Sequence, residues 1–295
     1  MFSWLKRLTT SSPPHGKTGP KREIKFMTYN VWSREDIAVY KRMQAICSLV
    51  EKHDPDVIFF QEVTPHIRSI FESSAWWKEY HSSLTVFPDE QEATKHQDFC
   101  LLQASTGELC VPEVRRLADG PRVDICPDPE MTMKPIHVAT TQLERPVPPA
   151  SMRFKERHAQ ARHAMAELSS ARNVVLGGDM SWGDNADGPF PLAAGWIDAW
   201  TQLRRRPWDS KWTYDGFWDE QAGVINGHDA PRSSMRKRSD MFVCKLRDYR
   251  LSSIEMIGDS NIGLEYARRF TMEYRSVIDL KPSCHRGLVL TIVPK

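Results

Sequence analysis

Four polar residues stand where apolar stretches of the chain give out: Asn30, Glu62, Asp179 and His285. Glu62 is the most constrained of them. It lies in Asp56-Val-Ile-Phe-Phe-Gln-Glu-Val63, and a charge inside so apolar a run is costly unless something pairs with it. A metal ion is one such partner and a salt bridge to a basic residue is the other; the polar neighbour Gln61 favours the ion. Asp179 follows Val174-Val-Leu-Gly-Gly178, and a strand's carboxyl end is where open α/β sheets aim catalytic side chains. His285 precedes the last apolar run, and an imidazole there can serve as acid or cation near neutral pH. Each residue also has a plainer reading: a turn for Gly-Gly-Asp and for Asn30, a structural role for His285.

The elements that must position these residues are legible to different degrees. Ile24 to Asn30 alternates as a strand, and Asp56 to Val63 reads as a buried one. Between them, Ile37, Tyr40, Met43, Ile46, Cys47 and Val50 recur at helical spacing and predict a helix over 36–53 with one face on a sheet. Trp76 to Leu143 is the least regular part. Phe99 to Leu102, Leu109 to Val114 and His137 to Thr141 are strand candidates, and the polar run from Asp89 to Asp98 predicts an exposed loop. Met152 to Ser170 is an amphipathic helix feeding Val174 to Leu176, an interior strand predicted to end at Gly177. Gly195 to Trp200 and Lys211 to Asp215 are aromatic, suited to a core or to a stacking surface. Arg236-Lys-Arg238 leads into a strand ending at Val243 and reads as a solvated face, and Gly287 to Val293 forms the last strand.

Composition bounds the possibilities. The chain has 295 residues, 40% hydrophobic and 26% charged, enough for one large core or two modest ones. No apolar run approaches the roughly eighteen residues of a membrane span, so no membrane partner is expected. Met1 to Pro20 starts basic but lacks the apolar middle of a signal peptide, so 1–20 reads as a disordered tail and 21–295 as a single domain. Six scattered cysteines without a C-x-x-C pair argue against zinc and for reduced thiols in the nucleus or cytosol. A net charge of +2 neither demands nor excludes nucleic acid.

Thr28-Tyr-Asn30, Gln61-Glu-Val63, Gly177-Gly-Asp179, Trp212-Thr-Tyr-Asp215, Arg238-Ser-Asp240 and Ser283-Cys-His285 occur in that order. Together they resemble the signatures of the endonuclease/exonuclease/phosphatase superfamily, in particular its tyrosyl-DNA phosphodiesterases, over nearly all of Lys21 to Lys295. The resemblance implies a four-layer α/β sandwich, two packed mixed β-sheets flanked by helices. It also implies magnesium-dependent phosphodiester hydrolysis, with manganese as a substitute ion. The expected substrate is a DNA 5' end carrying a tyrosyl-protein adduct, handled by a nuclear monomer in DNA repair. By the same resemblance Glu62 would hold the metal, Asp179 would activate water, Asn30 and Ser181 would complete the catalytic set, and protonated His285 would offset charge on phosphorus. Gln142, Glu144, Trp212 and Asp240 would bind substrate.

Departures from the pattern predict a weakened enzyme, or an inactive relative that binds DNA or protein. Ser181 stands where the family has Asn, Thr141-Gln-Leu-Glu-Arg145 where it has Ser-His-Leu-Glu-Ser, and Cys284 where it has Asp. Cys284 is expected to leave His285 without an orienting carboxylate. The stretch from Phe99 to Glu113 also looks short, as though the first sheet had lost one or two strands.

Overall fold

A computed structural model describes residues 23–82, 97–103, 115–117, 120–125, 133–146, 151–204, 211–215, 221, 236–269 and 275–295. The expected tail, most of the loop expected over 89–98 and the strand expected over 109–114 lie outside them. The chain opens with β1 (Ile24–Asn30), α1 (Val39–His53), β2 (Val57–Val63), α2 (Pro65–Glu72), β3 (Tyr80–Ser82) and β4 (Gln97–Gln103). Next come β5 (Arg115–Leu117), β6 (Gly120–Ile125), β7 (Ile136–Gln142), α3 (Phe154–Glu167), β8 (Asn173–Trp182) and α4 (Asp184–Asp187). The remainder is β9 (Ile197–Asp198), α5 (Ala199–Leu203), β10 (Tyr214–Asp215), β11 (Arg236–Leu246), β12 (Tyr249–Ile257), β13 (Glu265–Arg269), β14 (Arg275–Asp279) and β15 (Gly287–Pro294).

Two mixed sheets form the body. One runs β12-β15-β1-β2-β4-β3; the other runs β10-β11-β8-β7-β6-β5, with β9 also on β11. Among the described residues the first therefore has six strands, and the stretch from Phe99 supplies most of β4 to it. β1 and β2 are parallel, as are β7 and β8.

The strand period of two sorts the side chains into layers. Phe26, Phe59, Val138, Val175, Phe242 and Cys244 point inward and make the core between the sheets. Met27, Tyr29, Ile58 and Phe60 point the other way, against Met43, Ile46, Ile67 and Phe71 of α1 and α2. On the far side Val174, Leu176, Met241 and Val243 pack beneath Ala161, Ala164 and Met165 of α3. These apolar clusters are the seams of the expected four-layer sandwich.

Two glycines set how closely the layers approach. A Cβ on Gly177 would lie 2.7 Å from the rings of both Phe59 and Phe242, and one on Gly178 would strike the carbonyl oxygen of Thr141. Gly-Gly is thus a demand of packing rather than a turn. β8 does not end there: it runs on to Trp182 because β11 continues to pair with it, Asp240 opposite Asp179 and Arg238 opposite Trp182. Asp179 accordingly sits inside a strand, at the level where β7 stops with Gln142 opposite it.

Two further expectations need correction. Arg238 is buried, not solvated, because carboxylates meet it from two elements: Asp184 at 3.1 Å and Asp198. Tyr40 is 61% exposed, because the inner positions of its turn are taken by Val39 and by the guanidinium of Arg42. That guanidinium is buried and donates to the carbonyls of Val31, Trp32, Arg34, Ile37 and Pro282 while stacking on the Trp32 ring at 4.6 Å. Arg42 thereby ties α1 to the loop after β1 and to the loop before β15.

Candidate active site

The inward faces that make the core turn polar towards one end. Along β1 the sequence Phe26, Thr28, Asn30 stays on one side; along β7 it is Val138, Thr140, Gln142; along β11 it is Phe242, Asp240. Thr28, Gln61 and Thr140 close the core with hydrogen bonds: the Thr28 hydroxyl donates to Gln61 within one sheet, and Gln61 Nε2 donates across to Thr140 Oγ1 at 3.1 Å. Directly above this floor lie the candidate catalytic residues.

Glu62 reaches that place by a backbone irregularity. Strict alternation would send it to the helix side with Phe60, but its φ is +61° and the β2–β4 register shifts between Phe60 and Val63. A left-handed residue in a bulge turns the carboxylate towards the cleft, a costly conformation for a non-glycine residue and typical of functional sites. Glu62 Oε2 accepts from the backbone N–H and hydroxyl of Ser33 at 3.2 and 3.0 Å. Its Oε1 accepts from Asn30 Nδ2 at 2.5 Å and from Gln142 Nε2 at 3.3 Å, and pairs with the Arg145 guanidinium.

Asp179 joins the same network from the other sheet. Asn30 Nδ2 and Gln142 Nε2 donate to its Oδ2 at 3.0 and 3.2 Å, so two amides bridge the two carboxylates. Its Oδ1 accepts from the backbone N–H of Ser181 at 2.8 Å and lies 3.3 Å from the Ser181 hydroxyl. Ser181 itself has a φ of +47°. His285 enters over the top, where the Ser283 hydroxyl donates to the Asn30 carbonyl and accepts from the His285 backbone N–H. Its Nδ1 lies 2.9 Å from Asp240 Oδ2. Asp240, expected to bind substrate, is placed by the register of β11 and β8 behind the ring, where it can orient the histidine. The expectation that Cys284 leaves His285 without a carboxylate is therefore overturned. Cys284 points away, into a small apolar cluster with Trp32, Ile37 and Leu280.

The electrostatics follow from this packing. Burial opposes ionisation of Glu62 and Asp179, 2% and 1% exposed, but Arg145 and His285 outweigh it, and both carboxyls sit below their ordinary range. Burial likewise opposes charge on His285, yet Asp240, Asp179 and Glu62 together hold its pKa above the usual value. Two carboxylates thus share the cleft with the His285 ring and favour its charged form. One donor atom from each of Glu62, Asp179 and His285 lies within 4.8 Å of the others, and the carboxylate oxygens suit a hard divalent cation. Both readings of Glu62 have a basis here, since its salt bridge to Arg145 is present as well.

The remaining expected residues lie outside this cluster. The Glu144 carboxylate is 4.0 Å from Arg153 and its backbone N–H donates to Gln160, so it fastens the end of β7 to α3. Trp212 is half-buried at the rim, its ring 4.8 Å from Lys211 Nζ and its carbonyl accepting from Arg286. Tyr214 lies 5.4 Å from the His285 ring. Lys237 stands over Tyr214, and burial pulls its pKa down to about 8. Sequence reasoning had no signal for Ser33. It treated Arg145 only as a replaced serine.

Residues 27–224 match the sequence profile described as Endonuclease/Exonuclease/phosphatase family. No curated protein matches the chain by sequence. Among solved structures, a humanized D. rerio TDP2 with 14 mutations superposes with a TM-score of 0.66 at 18% identity, covering 92% of this chain and 99% of that one. A D. rerio TDP2 complexed with single strand DNA product gives 0.66 at 17%, with 92% and 99% covered. A truncated Caenorhabditis elegans TDP2 gives 0.66 at 15%, with 92% and 97% covered. The profile match stops before Asp240 and His285, yet the fold carries both residues back onto Asn30, Glu62 and Asp179, and the chain belongs to the endonuclease/exonuclease/phosphatase family.

Proposed function

We propose that the protein is a divalent-metal-dependent phosphodiesterase acting on DNA 5' ends, with a 5'-phosphotyrosyl linkage as its substrate class. The observation that carries this reading is the meeting of Asn30, Glu62, Asp179 and His285 in one buried cluster. Asp179 is ionised at neutral pH and can take a proton from an attacking water. The amides of Asn30 and Gln142 fix the distance between the two carboxylates. Protonated His285, held by Asp240, offsets charge on a phosphate drawn into the site. Glu62, with Asp179 and His285 nearby, would hold the ion; magnesium, or manganese in its place, would supply Lewis-acid stabilisation of the phosphate. Lys211, Arg145 and Lys237 make the rim basic, and the half-buried Trp212 ring suits stacking on an unpaired base.

A second reading is a binding module without turnover, favoured by one observation: the Arg145 guanidinium occupies Glu62. A turnover assay on a 5'-phosphotyrosyl oligonucleotide, with and without magnesium or manganese, separates the two. The enzyme reading expects metal-dependent release of tyrosine and a loss of at least ~100-fold in Asp179→Asn, the usual scale of general-base removal. Binding without release under every condition supports the module.

A further inference from the structure

Glu62 has no spare capacity for an ion. Its Oε2 is taken by the backbone N–H and hydroxyl of Ser33, and its Oε1 by Asn30, Gln142 and Arg145. Any cation that binds this carboxylate must displace a donor. Asn30 and Gln142 stand at strand ends and also hold Asp179, and Asn30 is buried, while Ser33 donates through its uncharged backbone N–H and hydroxyl. Arg145 differs: its side chain is 50% exposed at the mouth, on the segment just past β7. It is also the only one of these donors that carries charge, so an ion arriving on Oε1 would repel it.

Building on the proposed function, we infer that Arg145 is a resident cation on the metal-binding carboxylate, which a divalent ion must evict, and that a substrate phosphate helps by giving the departing guanidinium a partner. The geometry has two consequences. Without substrate, the ion pair competes with metal and keeps affinity low. With a 5'-phosphate in the cleft, the guanidinium exchanges one anion for another, which it can do through a bidentate contact of the kind arginine makes with phosphate. Metal and phosphate then bind with positive coupling, and the coupling is reciprocal. Arg145 with His285 also offsets the repulsion between two buried carboxylates.

The test reads metal binding rather than turnover. Manganese affinity is measured by electron paramagnetic resonance on the full chain for wild type, Arg145→Ala, Arg145→Lys and Arg145→Ala/Glu62→Gln, with and without a 5'-phosphorylated oligonucleotide. The expected result is manganese binding at least tenfold tighter in Arg145→Ala than in wild type, lost again in the double variant. The oligonucleotide should tighten manganese binding in wild type and not in Arg145→Ala. Arg145→Lys keeps the charge and should stay close to wild type. Thermal melting guards against misfolding: Arg145→Ala should melt lower than wild type without metal and recover when manganese is added. Equal manganese affinity in wild type and Arg145→Ala, with Glu62→Gln still weakening it, would overturn the inference and leave the functional reading standing. No effect of Glu62→Gln in the Arg145→Ala background would overturn both, because the ion would then be bound elsewhere.

Discussion

In the proposed role His285 must be held in place and its charge paired, and Asp240 contributes to both, beside Ser283 for the first and Asp179 and Glu62 for the second. Asp240→Asn keeps the shape and removes the charge, so turnover should fall by about 100-fold, the scale of a lost acid–base partner. The pH dependence has a definite sign. His285 has a folded-state pKa raised above its unfolded value, so its stabilising charge is fully present below roughly pH 6.5 and lost as pH rises through the raised folded value. Melting temperature should decline along that alkaline limb in wild type, and in Asp240→Asn the decline should be smaller and end at lower pH. A matching limb in both proteins would remove Asp240 from the role. Cys284→Asp should not rescue Asp240→Asn, since position 284 faces Trp32, Ile37 and Leu280. Ser181 is the better place to restore the family's residue. Its φ of +47° is one that asparagine tolerates, and a recovered contact to charge in the transition state predicts a gain in turnover of about tenfold, or ~1.4 kcal/mol, for Ser181→Asn. At this scale the sequence was readable where residue type alone restricts the chemistry, as for Glu62 in its apolar run. It was not readable for Asp240, whose partner stands 45 positions away and is chosen by strand register.

Helix α1 and the two loops beside it depend on one side chain. Arg42 donates to the carbonyls of Val31, Trp32, Arg34, Ile37 and Pro282 without a carboxylate among those partners, and burial pulls its pKa down to about 10. Lysine cannot replace it, because an ammonium has three donors on a flexible stem and no planar fork. Arg42→Lys should therefore cost at least ~2 kcal/mol in urea unfolding, from carbonyls left buried and unpaired. It should also lower turnover, since the loops it holds carry Ser33 and Ser283. Stability and activity both unchanged would show that the loops hold themselves. Elements whose apolar periodicity is strong, such as α1 and the strands β1, β2 and β15, were visible from spacing. Spacing alone ends β8 too early because its last residues are polar and glycine-rich, and only the pairing with β11 carries the strand through them. An arginine on the buried face of α1 breaks the pattern that spacing arguments rely on.

The whole molecule brings the site together from distant parts of the chain. Asn30 and Asp179 are separated by 149 positions, and the Ser283 hydroxyl that fixes the His285 loop bonds to Asn30 across 253. Two sheets with parallel central pairs and such long closures fold slowly. After dilution from urea, metal binding should recover later than far-ultraviolet circular dichroism; simultaneous recovery would argue for a site formed early. The sheet order sharpens this. β15 lies between β12 and β1, so the strand made last in the described chain completes the pairing of the strand made first. While the ribosome is still working, β1 has an open edge and the apolar faces of Phe26 and Met27 uncovered on that side, which is the kind of surface that chaperones hold and that neighbouring nascent chains can capture. Only when Gly287 to Pro294 emerges can that edge close.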